Sequence, residues 1–164
     1  MTEIVVLADT HIRRNSSRRL PAAVYEALEG ADLVLHAGDV VTGVLLEELA
    51  GFAPTVAVLG NNDGELAGQL PEDRIVTVES LRIAVVHDSG ARKGREGRLR
   101  RRFPTADVVV FGHSHMPLDA EGVDGQRLFN PGSPTERRPS TPYLSFGRLR
   151  IDDGHLVGHR LVRL

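Results

Sequence analysis

The sequence predicts an α/β protein with a largely parallel sheet covered by helices and a second, mixed or antiparallel sheet packed on it. Three observations carry the prediction. Five short apolar runs rich in β-branched residues recur between residues 4 and 111. Helix-like stretches separate the early runs, and the C-terminal quarter breaks into strand-like pieces punctuated by Gly, Pro and Asp.

The five runs lie at 4–8 (IVVLA), 32–37 (DLVLHA), 55–59 (TVAVL), 81–86 (LRIAVV) and 107–111 (DVVVF). They are continuous rather than alternating, the pattern of strands buried on both faces. Residues 21–29 (PAAVYEALE) carry a proline where the first turn of a helix tolerates it and are closed by Gly30. Residues 43–50 (GVLLEELA) follow Thr42 as the expected N-cap and stop at Gly51. Strand, helix, strand, helix, strand implies right-handed crossovers and parallel pairing. Further on, "GQRLFN", "YLSFGRLRID" and "HLVGHRLVRL" read as shorter strands, with "DDG" turning between the last two. No repeat, low-complexity tract or linker interrupts the chain, so one domain spanning 1–164 is expected.

Composition narrows the function. Of the 164 residues 41% are apolar and 26% charged, and no apolar run approaches the roughly 18 residues a membrane span needs. The N-terminal segment "MTEIVVLADTH" has no secretory-signal pattern, and the absence of cysteine excludes disulfides and thiolate metal sites. Both fit a cytoplasmic protein. A formal net charge of −2 argues against general affinity for nucleic acid or membrane. Seven cationic residues fall within 92–102 (RKGREGRLRRR), read as a solvated helix face because no aromatics are interleaved for base stacking. That stretch follows His87, so one or two of its arginines could reach a ligand crevice and hold a phosphate.

The polar residues fall into register with the strands. The first run ends in Asp9 and His11, the second in Asp39, the third in Asn61, the fourth in His87 and the fifth in His113 and His115. Loops at the carboxyl ends of parallel strands converge on one crevice, so seven oxygen and nitrogen donors are delivered to one place. A lone Asp after a strand is usually a turn residue, and a lone buried His is usually a core residue. Seven in register, including four of the chain's seven histidines, point to metal. Seven donors exceed the four of a structural zinc site and suit two ions roughly 3.5–4 Å apart that share a bridging carboxylate. Imidazole, carboxylate and amide together favour Mn, Fe, Zn, Co or Ni.

Assembled in order, Asp9-Thr10-His11, Gly38-Asp39, Gly60-Asn61, His87 and Gly112-His113-Ser114-His115 resemble the motifs of the calcineurin-like metallophosphoesterase superfamily. "HAGDV", "GNND", "GHSHMP" and "NPGS" resemble its small bacterial and archaeal phosphodiesterase branch, to which the retromer's small scaffold subunit also belongs. The resemblance spans residues 4 to about 134 and implies a four-layer αββα sandwich of two mixed sheets. It also implies two divalent ions, manganese before iron, zinc, nickel or cobalt. The first would be held by Asp9, His11, Asp39 and His115, the second by Asp39, Asn61, His87 and His113, with Asp39 bridging. Asp39, Asn61 and His113 are the expected catalytic residues, acting around a metal-bridging hydroxide that attacks phosphorus. Two divalent ions, two aspartates and one hydroxide leave about +1, a match for a phosphodiester monoanion.

Two departures from that family stand out. Many members carry a histidine acid directly after the motif asparagine, where this chain has Asn62, which cannot donate a proton; good leaving groups are therefore expected. The branch usually has glycine after the fourth-strand histidine, where this chain has Asp88, read as a turn residue in preference to a partner for a ligand histidine. His36 is either a support for Asp39 or a hydrogen-bonded core histidine, and Asn130 and Ser133 are expected to support the site from the second sheet. His155 and His159 lie outside the motif pattern. The expected partner is a small phosphodiester, with nucleic acid disfavoured and an oligomer left open. A protein-binding scaffold, or a phosphomonoesterase or nuclease of the same fold, is the alternative.

Overall fold

The computed structural model describes all 164 residues. In chain order the strands are β1 (Thr2–Leu7), β2 (Leu33–His36), β3 (Thr55–Ala57), β4 (Asp73–Val78), β5 (Leu81–Val86), β6 (Val108–Val110), β7 (Leu118–Glu121), β8 (Arg127–Asn130), β9 (Ser145–Asp152) and β10 (His155–Arg163). The α-helices are α1 (Ala22–Leu28), α2 (Gly43–Ala50) and α3 (Arg95–Arg102). The strands form two five-stranded mixed sheets, ordered β10-β9-β1-β2-β3 and β4-β5-β6-β8-β7. β1, β2 and β3 pair in parallel, as do β5, β6 and β8.

Alternation along each strand explains the continuous apolar runs. In β1, Ile4 and Val6 face the second sheet and join Ile83, Val85, Val108, Val110 and Phe129 in the central core. Val5 and Leu7 point the other way, onto Val24 and Leu28 of α1 and Leu45 and Leu49 of α2. In the second sheet, Ala84, Val86 and Val109 pack under Leu99 of α3 and Phe103. The result is the expected αββα stack, with three apolar interfaces between four layers. Each fully buried Val, Leu, Ile or Phe contributes roughly 1.5–3 kcal/mol of transfer free energy. α3 fully buries only Leu99; Arg101 and Arg102 are exposed, whereas Arg95 turns inward and stacks 5.1 Å from the buried Phe111 ring, so the stretch is not a wholly solvated face. No helix is long and apolar enough to cross a membrane.

The division between sheets differs from the sequence expectation. Runs 81–86 and 107–111 belong to the second sheet, and the C-terminal hairpin β9–β10 completes the first. The switch occurs at β4, which was not anticipated. It turns back onto β5 as an antiparallel hairpin through Glu79 (φ +56°) and starts a new sheet. β4 is an edge strand with Ile75 46% exposed, so its apolar pattern is weak. Thr42 occupies the N-cap position of α2, but its hydroxyl donates to the Ile12 carbonyl (3.2 Å) and makes no capping bond. The "DDG" turn is as expected: Asp153 and Gly154 are left-handed (φ +50° and +73°), which a tight hairpin requires.

Candidate metal centre

The loops after β1, β2 and β3 of one sheet meet those after β5 and β6 of the other at the seam between the sheets. Contact is close enough to demand glycine. A Cβ on Gly112 would lie 2.7 Å from Asp9 Oδ2, and one on Gly60 would overlap the Asp39 amide and carboxylate. Five of the seven predicted donors have left-handed backbones: Asp9 (φ +54°), His11 (+46°), Asp39 (+58°), His113 (+69°) and His115 (+58°). Such conformations are uncommon for residues with a Cβ and concentrate at functional sites.

One group of donors comprises Asp9, His11 and His115. His115 is buried and its Nδ1–H donates to the Glu136 carbonyl (3.1 Å), which leaves Nε2 with a bare lone pair. That lone pair faces Asp9 Oδ1 at 3.5 Å, and His11 Nε2 lies 3.9 Å from the same oxygen. All three atoms are buried and without a hydrogen-bond partner. Buried polar atoms left without a partner are costly, and a cation among these three would satisfy them all, so the donor set fits a metal ion.

A second group comprises Asp9, Asp39 and His87. His87 Nδ1–H donates to the Ala37 carbonyl (2.7 Å), and its Nε2 faces Asn61 Oδ1 (2.9 Å) and Asp39 Oδ1 (3.5 Å). His113 Nδ1 reaches the same Asn61 oxygen at 3.1 Å. The other Asp39 oxygen, Oδ2, lies 3.4 Å from His11 Nε2. Asp39 therefore presents one oxygen to a histidine of each group. Asp9 is common to both groups by proximity, its Oδ2 being occupied by the His113 amide (2.9 Å).

The two carboxyl groups titrate in opposite directions. Burial pushes Asp9 up to about 7, with the Asp39 charge adding to the effect and His87 opposing it. Asp39 is also penalised by burial, but the His87 contact and two hydrogen bonds from Asn62 (2.9 and 2.8 Å) hold it well below the usual carboxylate range. Burial lowers His115 to about 4 and also lowers His11, so both imidazoles are neutral and able to ligate at neutral pH.

The supporting residues divide clearly. Asn62 gives both its backbone and side-chain N–H to Asp39, so it positions that carboxylate. His36 is a satisfied core histidine: it accepts the Gly38 amide at Nδ1 (3.2 Å) and bonds Thr10 Oγ1 through Nε2 (3.0 Å). Asp88 is exposed and accepts the Gly90 amide (2.7 Å), the turn role. It also lines a shallow cleft of about 340 Å³ with Asn61, His87, His113 and Arg102. Arg102, from the arginine-rich stretch, does reach this cleft, although it is paired with Asp73 at 2.7 Å. Asn130 braces the "GHSH" turn by donating to the Gly112 carbonyl (3.1 Å) and Ser114 Oγ (3.2 Å), and Ser133 donates to the Asp9 carbonyl (2.8 Å). His155 and His159 lie apart, His159 paired with Asp119.

Sequence reasoning missed Asp63. This buried carboxylate accepts the amides of Asp39 (2.9 Å), Gly60 (2.7 Å) and Val41 (2.7 Å), locking two ligand loops together. Its only signal was its place at the end of "GNND". Thr135, Glu136 and Arg138, which hold Thr10, His115 and His113, were missed as well.

Residues 2–154 match the model of the calcineurin-like phosphoesterase superfamily domain. The chain belongs to this superfamily. A probable metallophosphoesterase of Methanothermobacter thermautotrophicus is 36% identical over 162 residues, covering 98% of this chain and 91% of that relative. Among solved structures, Vps29 of Entamoeba histolytica complexed with zinc superposes with TM-score 0.78 at 22% identity, over 99% of this chain and 98% of that one. The YfcE phosphoesterase of E. coli superposes with TM-score 0.62 at 22% identity, over 96% and 98%. At that identity the two structures establish the calcineurin-like fold, whose seam between sheets is where the Asp and His groups that could hold metal ions converge here.

Proposed function

We propose that this calcineurin-like phosphoesterase is a phosphodiesterase working with two divalent ions, manganese first among them. The observation that carries the reading is the complete donor set: three buried, unpartnered ligand atoms on one side of Asp39, and His87, Asn61 and His113 on the other. When bound, the ions would supply an acidified water and polarise the phosphoryl oxygens. The chain's own residues do the rest. Asn62 fixes the Asp39 carboxylate between the two histidine groups, and Asp63 anchors the Asp39 backbone amide. Ala37 and Glu136 fix the histidine tautomers, so that Nε2 of His87 and of His115 points inward.

Specificity follows from Asn62. Its backbone N–H and one side-chain N–H are committed to Asp39, and a carboxamide cannot protonate a departing oxygen. No acid stands there to assist a poor leaving group, which favours esters of acidic alcohols or phenols. A neighbour of the same fold, Vps29 of Entamoeba histolytica, is complexed with zinc, which supports a metal-dependent reading. A scaffold role is the second reading, suggested by the likeness to Vps29; it gives no reason for keeping all seven donors. The test is hydrolysis of bis-p-nitrophenyl phosphate beside p-nitrophenyl phosphate, with Mn²⁺ and with chelator. Mn²⁺-dependent turnover favouring the diester is expected. Absence of metal-dependent turnover on either compound would promote the scaffold.

A further inference from the structure

Residues 133–138 cross over both ligand-bearing loops and are tied to them four times. Ser133 Oγ donates to the Asp9 carbonyl (2.8 Å) and Thr135 Oγ1 to the Thr10 carbonyl (2.6 Å). The Glu136 carbonyl accepts His115 Nδ1 (3.1 Å), and Arg138 Nη1 donates to the His113 carbonyl (3.3 Å). The buried Thr141 hydroxyl accepts the Arg138 amide (3.0 Å) and donates to the Arg138 carbonyl (2.8 Å), which fixes the backbone from which this arginine springs.

Two arginines thus grip the carbonyl of a ligand histidine, Arg18 on His11 (3.3 Å) and Arg138 on His113 (3.3 Å). Their charges have different fates. Arg18 is neutralised by Glu136 at 2.9 Å. Arg138 is half-buried, forms no ion pair, and has no protein acceptor for its other guanidinium N–H groups. Its charge nevertheless reaches Asp9, His11 and His115. A rigidly based guanidinium, uncompensated and beside a metal donor set, is built for an anion, and its planar fork matches two phosphoryl oxygens.

We propose that Arg138 binds the phosphoryl oxygens of the substrate, holding the phosphoester between its guanidinium and the Asp/His donor set. The proposal rests on the phosphoester reading above. The charge that spreads over those oxygens during transfer would be met by a donor already in place.

The experiment compares Arg138→Gln and Arg138→Lys in the Mn²⁺-loaded protein. Glutamine keeps a donor for the His113 carbonyl but no charge; lysine keeps the charge but not the fork. Arg138→Gln should retain its metal and its melting temperature, bind orthophosphate at least tenfold more weakly by calorimetry, and lose about a hundredfold in kcat/KM. Arg138→Lys should recover part of both. Unchanged orthophosphate affinity and KM in Arg138→Gln would overturn the proposal, as would activity lost only together with metal. If the wild type hydrolyses no phosphoester, the phosphoester reading fails, while orthophosphate binding by the loaded protein still decides the role of Arg138.

Discussion

At the scale of single residues, the site is a set of lone pairs held against one another. His115 Nε2, Asp9 Oδ1 and His11 Nε2 converge without a hydrogen bond among them, and Glu136 has taken the only hydrogen His115 can carry when neutral. Asp9 responds by holding its proton up to about 7. A metal ion would have to displace that proton, and any proton on His87, whose pKa burial lowers but Asp39 and Asp9 raise above its ordinary value, would compete as well. Metal affinity should therefore climb as pH rises from 6 through about 7 and flatten above, with protons released on binding below that point. Calorimetry in buffers of different ionisation enthalpy measures this; affinity independent of pH between 6 and 8 would contradict it. These donors were legible in the sequence because metal ligation demands particular residue types at strand ends. Asp63 and Arg138 were not, because they grip backbone amides and carbonyls, which many side chains can do.

At the scale of elements, the apolar runs disclosed strands but not their partners. Ile4 and Val6 of β1 read the same as Ile83 and Val85 of β5, since each strand lies between a sheet and a helix layer. Periodicity reports burial on two faces and says nothing of which sheet a strand joins. β4 and β7 went unseen because edge strands carry polar and exposed residues. Packing between the sheets depends on a feature visible only in three dimensions: Gly147 of β9 leaves room for the Phe129 ring of β8. A Cβ there would overlap that ring and lie 3.2 Å from Val6 Cβ, and Phe129 is fully buried with nowhere to move. Gly147→Ala should cost about 1–3 kcal/mol of stability by overpacking, read as a lower midpoint in urea denaturation. An unchanged midpoint would show that the seam is loosely packed.

At the scale of the whole molecule, neither sheet carries the site alone. The first sheet delivers Asp9, His11, Asp39 and Asn61, the second delivers His87, His113 and His115, and residues 133–138, between β8 and β9, bind the two sets together. Two packed sheets with helices against the first were legible because strand and helix apolar surfaces had to be buried together, and the full αββα layering came from the resemblance of the motifs to the calcineurin-like family. The seam was not, since it required knowing that the fourth and fifth runs lie in the opposite sheet. Asp39 sits at its centre, with Oδ2 toward His11 and Oδ1 toward His87. The most direct test of the account is metal stoichiometry of the Mn²⁺-loaded protein and two variants by elemental analysis. The wild type should hold two ions per chain, Asn61→Ala one, and Asp39→Ala none; two ions retained in Asp39→Ala would contradict the bridge and the dinuclear site built on it.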